Sequence, residues 1–142
     1  MCMDVTASTF DEVTPTIRYK VFVKGTMGVE FPYCSAHTLS SGELSPLVRW
    51  GHVYGPSRPS EMPCSHDRTA TSSGYHAFNH LEGAHQYSKW GLASESPVLA
   101  RVLVWGRCLP WMWDAGPYLI GSAWAYPTGG AYEFMLPLEI VE

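Results

Sequence analysis

Apolar and polar positions change period several times along this chain, and the changes mark out its elements. From Ile17 to Lys24 they alternate. Ile17, Tyr19, Val21 and Val23 share one side and Arg18, Lys20, Phe22 and Lys24 the other, the period of a half-buried strand. Val29 to Tyr33 predicts a second short strand, which Pro32 assigns to an edge because proline has no N–H for a ladder. Gly74 opens a short aromatic strand ending at Phe78. Asn79 with Glu82 three residues on has the form of a capping box and predicts a helix closed by Trp90 and Gly91, with Leu81, Ala84 and Tyr87 or Ser88 on one face.

After Pro97 comes the strongest strand signal in the chain. Val98, Ala100, Val102 and Val104 lie on one side and Leu99, Leu103 and Trp105 on the other, and a strand apolar on both sides is expected at the centre of a sheet. Tyr118 to Tyr126 predicts a further strand with Gly121 as a bulge or a point of close backbone approach. Pro127 to Gly130 is turn material and Ala131 to Leu136 the return strand, so the two make a hairpin. Pro137 limits Leu138 to Val141 to an edge position or a tail.

The remaining segments read as connections. Met1 to Pro15 is expected to lead in loosely. Cys34 to Ser73 collects Pro46, Pro56, Pro59 and Pro63 with Gly42, Gly51 and Gly55, and is expected to be mostly loop, either functional or partly structured. Within it Trp50, His52, Val53 and Tyr54 read as one anchored piece and Pro56 to Ser73 as the most mobile one. The whole, residues 1–142, predicts a single α+β domain. A twisted, mostly antiparallel sheet carries one main helix and a long Pro/Gly-rich loop region, with strand, helix and strand over 74–106 at its heart.

Composition sharpens this picture. Hydrophobic residues make up 46% and charged residues 15% of the 142, which excludes a disordered chain. With 6 Trp and 8 Tyr the aromatic load exceeds what a small core easily encloses, so some rings are expected on a surface meant for contact. The 9 basic and 13 acidic residues give a net charge of -4 without a run of either sign, which disfavours direct binding to DNA or RNA. An acidic protein can still dock on a basic groove of a nucleic-acid enzyme. No apolar run approaches the roughly 18 residues of a membrane span, and Met-Cys-Met-Asp lacks the order of a signal peptide, so a cytoplasmic protein is expected. Cys2, Cys34, Cys64 and Cys108 are widely spaced, and free thiols are expected.

The candidate chemistry is sparse. Cys34, His37, Cys64 and His66 supply the ligand types of a tetrahedral zinc site, with His52 as an alternative fourth ligand. The competing reading, a small buried Cys34 and a solvated His66, leads to the expectation of no metal. His76, His80 and His85 lack His-Glu-x-x-His spacing, and His76, alternating with aromatic residues, is the best candidate for a cleft residue. No nucleophile elbow and no glycine-rich phosphate loop occurs. Trp111, Met112 and Trp113 beside Asp114 fall between Pro110 and Gly116-Pro117. The segment reads as an exposed binding loop, a loop folded over the core, or a hairpin connection. Trp111 and Trp113, two apart, point the same way in an extended chain and with Asp114 make a candidate partner anchor, against the competing expectation that at least one of the two rings is buried in the core.

The order Gly74-Tyr-His-Ala-Phe78, Leu81-Glu-Gly-Ala84, Tyr87, Val102, Trp105-Gly-Arg107 and Ala125-Tyr-Pro127 resembles a group of small uncharacterised proteins of bacteria and their phages. The resemblance covers residues 74–127. It implies a phage or mobile-element protein. The aromatic surplus, the acidity and the missing catalytic set add the expectation of a non-catalytic protein that binds and blocks a host protein, a host-defence nuclease in the manner of an anti-CRISPR being the obvious class. More coarsely, the strand-helix-strand order is similar to the middle of the ADP-ribosyltransferase fold, which implies the alternative of an NAD-dependent transferase. Its roles would fall to Arg18, to Tyr75 or His76, and to Glu133.

Overall fold

A computed structural model describes residues 3–6, 9–25, 28–32, 47–65, 68–90, 96–113 and 127–142. The strands are β1 (Met3–Val5), β2 (Asp11–Lys24), β3 (Val29–Glu30), β4 (Ser60–Ser65), β5 (Arg68–Ser73), β6 (Tyr75–Phe78), β7 (Pro97–Trp113) and β8 (Thr128–Ile140), with the helix α1 (Leu81–Trp90) between β6 and β7. Every pairing among the described residues is antiparallel, and the architecture is α+β with strand predominating.

β7 is the central strand, as its two-sided pattern predicts. Its first twelve residues pair with β2 on one edge, while Ala100 to Met112 pair with β8 on the other. It also runs further than expected. Leu109 to Trp113 continue the strand instead of forming a separate loop, with β1 replacing β2 along the edge at Trp111–Trp113. Pro110 is tolerated there because its carbonyl still accepts the Thr6 N–H at 3.1 Å. Residues 114–126, with the first strand of the expected hairpin, lie outside the described residues. The return strand spans 128–140, passing through Pro137 by a shift in register between Arg101 and Val102 that takes up the proline.

Three other expectations change. The N-terminal lead carries β1 and the start of β2, which bulges between Val13 and Thr16 around Pro15. The expected loop region holds the β4–β5 pair, although residues 33–46 within it are outside the described set. Helix α1 begins at Leu81, the His80 carbonyl accepting the Ala84 N–H, and Asn79 ties the helix start to β8 through its side-chain amide, 3.0 Å from Thr128 Oγ1.

The pairings β2–β7, β7–β8, β8–β6 and β6–β2 close into a ring, the last of them through Tyr19 and Phe78. One core fills the inner face of that ring: Phe22, Tyr75, Ala77, Ala100, Val102, Val104, Cys108, Tyr132 and Met135, closed over by Phe31, Val48 and Tyr54. A second core lies on the outer face, where Ala84, Leu81 and Tyr87 of α1 and Met3 and Val5 of β1 cover Val21, Phe78, Leu99, Leu109, Trp111 and Trp113. Gly106, at φ 87°, lets β7 bulge between Trp105 and Cys108, a backbone conformation that a side chain would strain.

Candidate partner-binding surface

The side of β2 that faces into the ring is the one carrying Arg18, Lys20 and Phe22, in register with Val102, Ala100 and Val98. Lys20 is only 4% exposed. Its ammonium donates to the His76 carbonyl at 2.7 Å and lies 5.9 Å from the centroid of the Phe22 ring. A buried ammonium is tolerable only when so paired. Further along the same face Tyr132 stands in register with both Cys108 and Tyr75. Burial pushes the Tyr132 hydroxyl up to about 12 and the Cys108 thiol up to about 11, the two sharing a hydrogen bond. Both stay protonated near neutrality, so neither is a ready nucleophile or base.

Tyr75 and His76 are consecutive on β6 and therefore project to opposite faces. Nε2 of His76 is 3.1 Å from Thr71 Oγ1, and the ring centroid is 6.0 Å from that of Trp111, on the outer side. Burial of the imidazole, assisted by the Lys20 charge and opposed by a hydrogen bond to the Ser73 backbone, lowers its pKa to about 3. Glu133 is elsewhere again: its carboxylate accepts the Arg107 N–H at 3.2 Å, at the Gly106 bulge. Arg18, Tyr75, His76 and Glu133 thus do not surround one cleft, and His76 is a neutral, hydrogen-bonded packing residue instead of a cleft residue.

Trp111 and Trp113 do point the same way, but into the molecule. They are 1% and 0% exposed. Trp111 meets Phe78 edge to face at 5.0 Å, and Trp113 meets Tyr87 at 5.2 Å. The Trp111 ring lies over Gly129, where a Cβ would come within 2.6 Å of it. The expected partner anchor is therefore part of the outer core, because β7 continues past Pro110 and α1 covers it. Asp114 is outside the described residues. So are Cys34, His37 and His66, while Cys64 falls on β4 without a described side chain. His52 stacks edge to face on Tyr54 at 5.0 Å. Among the described residues no three His, Cys, Asp or Glu side chains gather as a metal site.

The polar groups are thus turned inward, and the apolar ones that remain outside fall into a pattern. On the same outer face of β2 and β7, further along than the Val21 and Leu99 that α1 covers, Ile17 of β2, Leu103 of β7 and Leu136 of β8 stand in one register row. Residues 51–57 run along the free edge of β8, Tyr54 exchanging both main-chain hydrogen bonds with Met135. Tyr54 faces the inner core, so Val53 by alternation extends the outer row. Ile17 is 39% and Val53 48% exposed. In the next row Trp105 and Phe134 stack with centroids 5.5 Å apart, 7° from parallel. The row on the other side is an Arg101–Glu139 ion pair. The alternation around Ile17 and Leu103 was legible in the sequence; their register, which makes a surface of them, was not.

Elsewhere, Trp50 rests edge-on against Phe22 with 39% of its surface exposed, one of the rings that the aromatic load places outside. A shallow groove of about 360 Å³ lies between α1 and the C-terminal residue, lined by Leu81, Glu82, His85, Gln86, Lys89 and Glu142. His85 and Glu142 are 3.7 Å apart across it and both well exposed, an arrangement of mixed charge without a buried polar group aimed into the groove. No helix among the described residues is long and apolar enough to cross a membrane. Comparisons with protein-family models, curated proteins and solved structures gave no match.

Proposed function

We propose that this protein acts by binding another protein, without catalysis, through the apolar wall of Ile17, Leu103, Leu136 and Val53 and the stacked Trp105–Phe134 pair beside it. The observation that carries this is the row itself. Three neighbouring strands and the segment that runs beside β8 each present an aliphatic side chain at the same level, beyond the part of this face that α1 covers. Isolated exposed apolar residues are ordinary, whereas a contiguous patch flanked by charged residues is the anatomy of a contact surface. The groups proposed for transferase chemistry support the same reading: Arg18 donates to the Ile17 carbonyl, Tyr75 is buried, burial keeps His76 neutral, and Glu133 accepts the Arg107 N–H. The resemblance over residues 74–127 adds a phage or mobile-element setting, and the net charge of -4 suits a partner with a basic groove, a host-defence nuclease being the obvious class.

The test is capture from a bacterial host lysate with tagged wild-type protein and a tagged Leu103→Asp variant, compared quantitatively by mass spectrometry. A partner held by the wild type and lost by a folded variant is the expected result. Equal capture by both removes the wall from consideration.

A further inference from the structure

From the same wall we infer that the chain also associates with itself: in the absence of the partner proposed above, a second copy docks on it face to face about a two-fold axis lying between β7 and β8. The inference rests on the binding role proposed above and names what covers the wall in the free protein. The register pairs that cross from β7 to β8 are Arg101 with Glu139, Leu103 with Leu136, and Trp105 with Phe134. Each row therefore joins two residues that attract one another: opposite charges, two leucines, two aromatic rings. A two-fold axis parallel to the strands and midway between them exchanges the members of every row. It sets Arg101 against Glu139 of the other copy, leucine against leucine and indole against phenyl, all at once. A patch that is complementary to itself under one rotation is the requirement for an isologous dimer. Arg101 and Glu139 form an ion pair within the chain, yet their side chains remain 45% and 52% exposed and so can also face the other copy.

The size of the wall sets the strength. Three strands and the segment beside them, at a spacing of about 4.8 Å, and five residues at about 3.3 Å give a contact on the order of 300 Å² per copy, well under the roughly 800 Å² of a standard interface. The dimer is accordingly weak and concentration-dependent, with monomer dominating in dilute solution.

The experiment is sedimentation equilibrium from low micromolar to near-millimolar protein on the wild type, on Arg101→Glu, on Glu139→Arg, and on an equal mixture of the two variants. Each variant alone brings like charges together in both halves of the interface. The mixture restores an opposite pair in each. The wild type and the mixture should both approach twice the monomer mass at high concentration, while each single variant stays at the monomer mass with a cooperative melt that shows it folded. A wild type that stays monomeric throughout, single variants that dimerise as readily as wild type, or a mixture that does not recover the mass would each overturn the inference. The first result combined with loss of a lysate partner by Leu103→Asp would sink the dimer alone and leave the binding wall standing.

Discussion

The ammonium of Lys20 on β2 donates to the main-chain carbonyl of His76 on β6 across 2.7 Å, next to the Tyr19–Phe78 pairing that closes the ring of strands. A buried cation and a backbone acceptor thus stand where a longer ladder would otherwise be needed. Lys20→Ala removes the donor and leaves a cavity beside Phe22, and should cost about 2–4 kcal/mol in chemical denaturation. A variant as stable as wild type would mean that the seam holds without this bond.

His76 makes stability depend on acid. Its folded pKa, lowered to about 3 mainly by burial, lies below its ordinary value of 6.5, so between these values the unfolded chain binds more protons than the folded one. The contribution of the neutral imidazole is complete above pH 6.5 and is lost as pH falls toward about 3. Over that range wild type should lose melting temperature more steeply than His76→Gln, in which carboxylates still titrate but position 76 does not. Parallel profiles would contradict the assignment.

Trp111 and Gly129 form one packing unit, the ring and the Ala77 carbonyl both crowding the place a β-carbon on Gly129 would take. Gly129→Ala should therefore destabilise by about 1–3 kcal/mol through overpacking, and Trp111→Ala by about 3–5 kcal/mol through the cavity it leaves. Thermal melts of the two single variants measure both. A Trp111→Ala protein melting like wild type would return the indole to the surface.

Cys108 should be inert in the native state, since burial pushes its thiol up to about 11. In a variant with Cys2, Cys34 and Cys64 changed to Ser, a thiol reagent at pH 7 is expected to react at least ~100-fold more slowly than in denaturant. Rapid native labelling would show that the inner face is open at Cys108.

Where the sequence was informative, local pattern coincided with tertiary fate. The double-sided run from Val98 to Trp105 could only be a central strand, and Ala84 and Ser88 with Leu81 and Tyr87 do form the covered face of α1. It misled where a local breaker was overruled. Pro110 suggested that β7 stops, yet the position needs only a carbonyl, which Thr6 engages; Pro137 sits beside a register shift and the strand continues. β4 and β5 carry Ser and Thr with little apolar alternation, so nothing local announces them. The wall was illegible for another reason. Ile17, Val53, Leu103 and Leu136 are far apart in the chain, and only pairing register makes them neighbours.

The central claim, that this row is a contact surface and not part of the core, is tested most directly by its two most exposed members. Ile17→Asp with Val53→Asp should melt within a few degrees of wild type, because 39% and 48% of these residues already face water. The same preparation should lose whatever association the wild type shows, whether with a captured protein or with itself, by at least about 2 kcal/mol or some thirtyfold in Kd. A protein that unfolds, or one that stays folded and associates as before, would contradict the account.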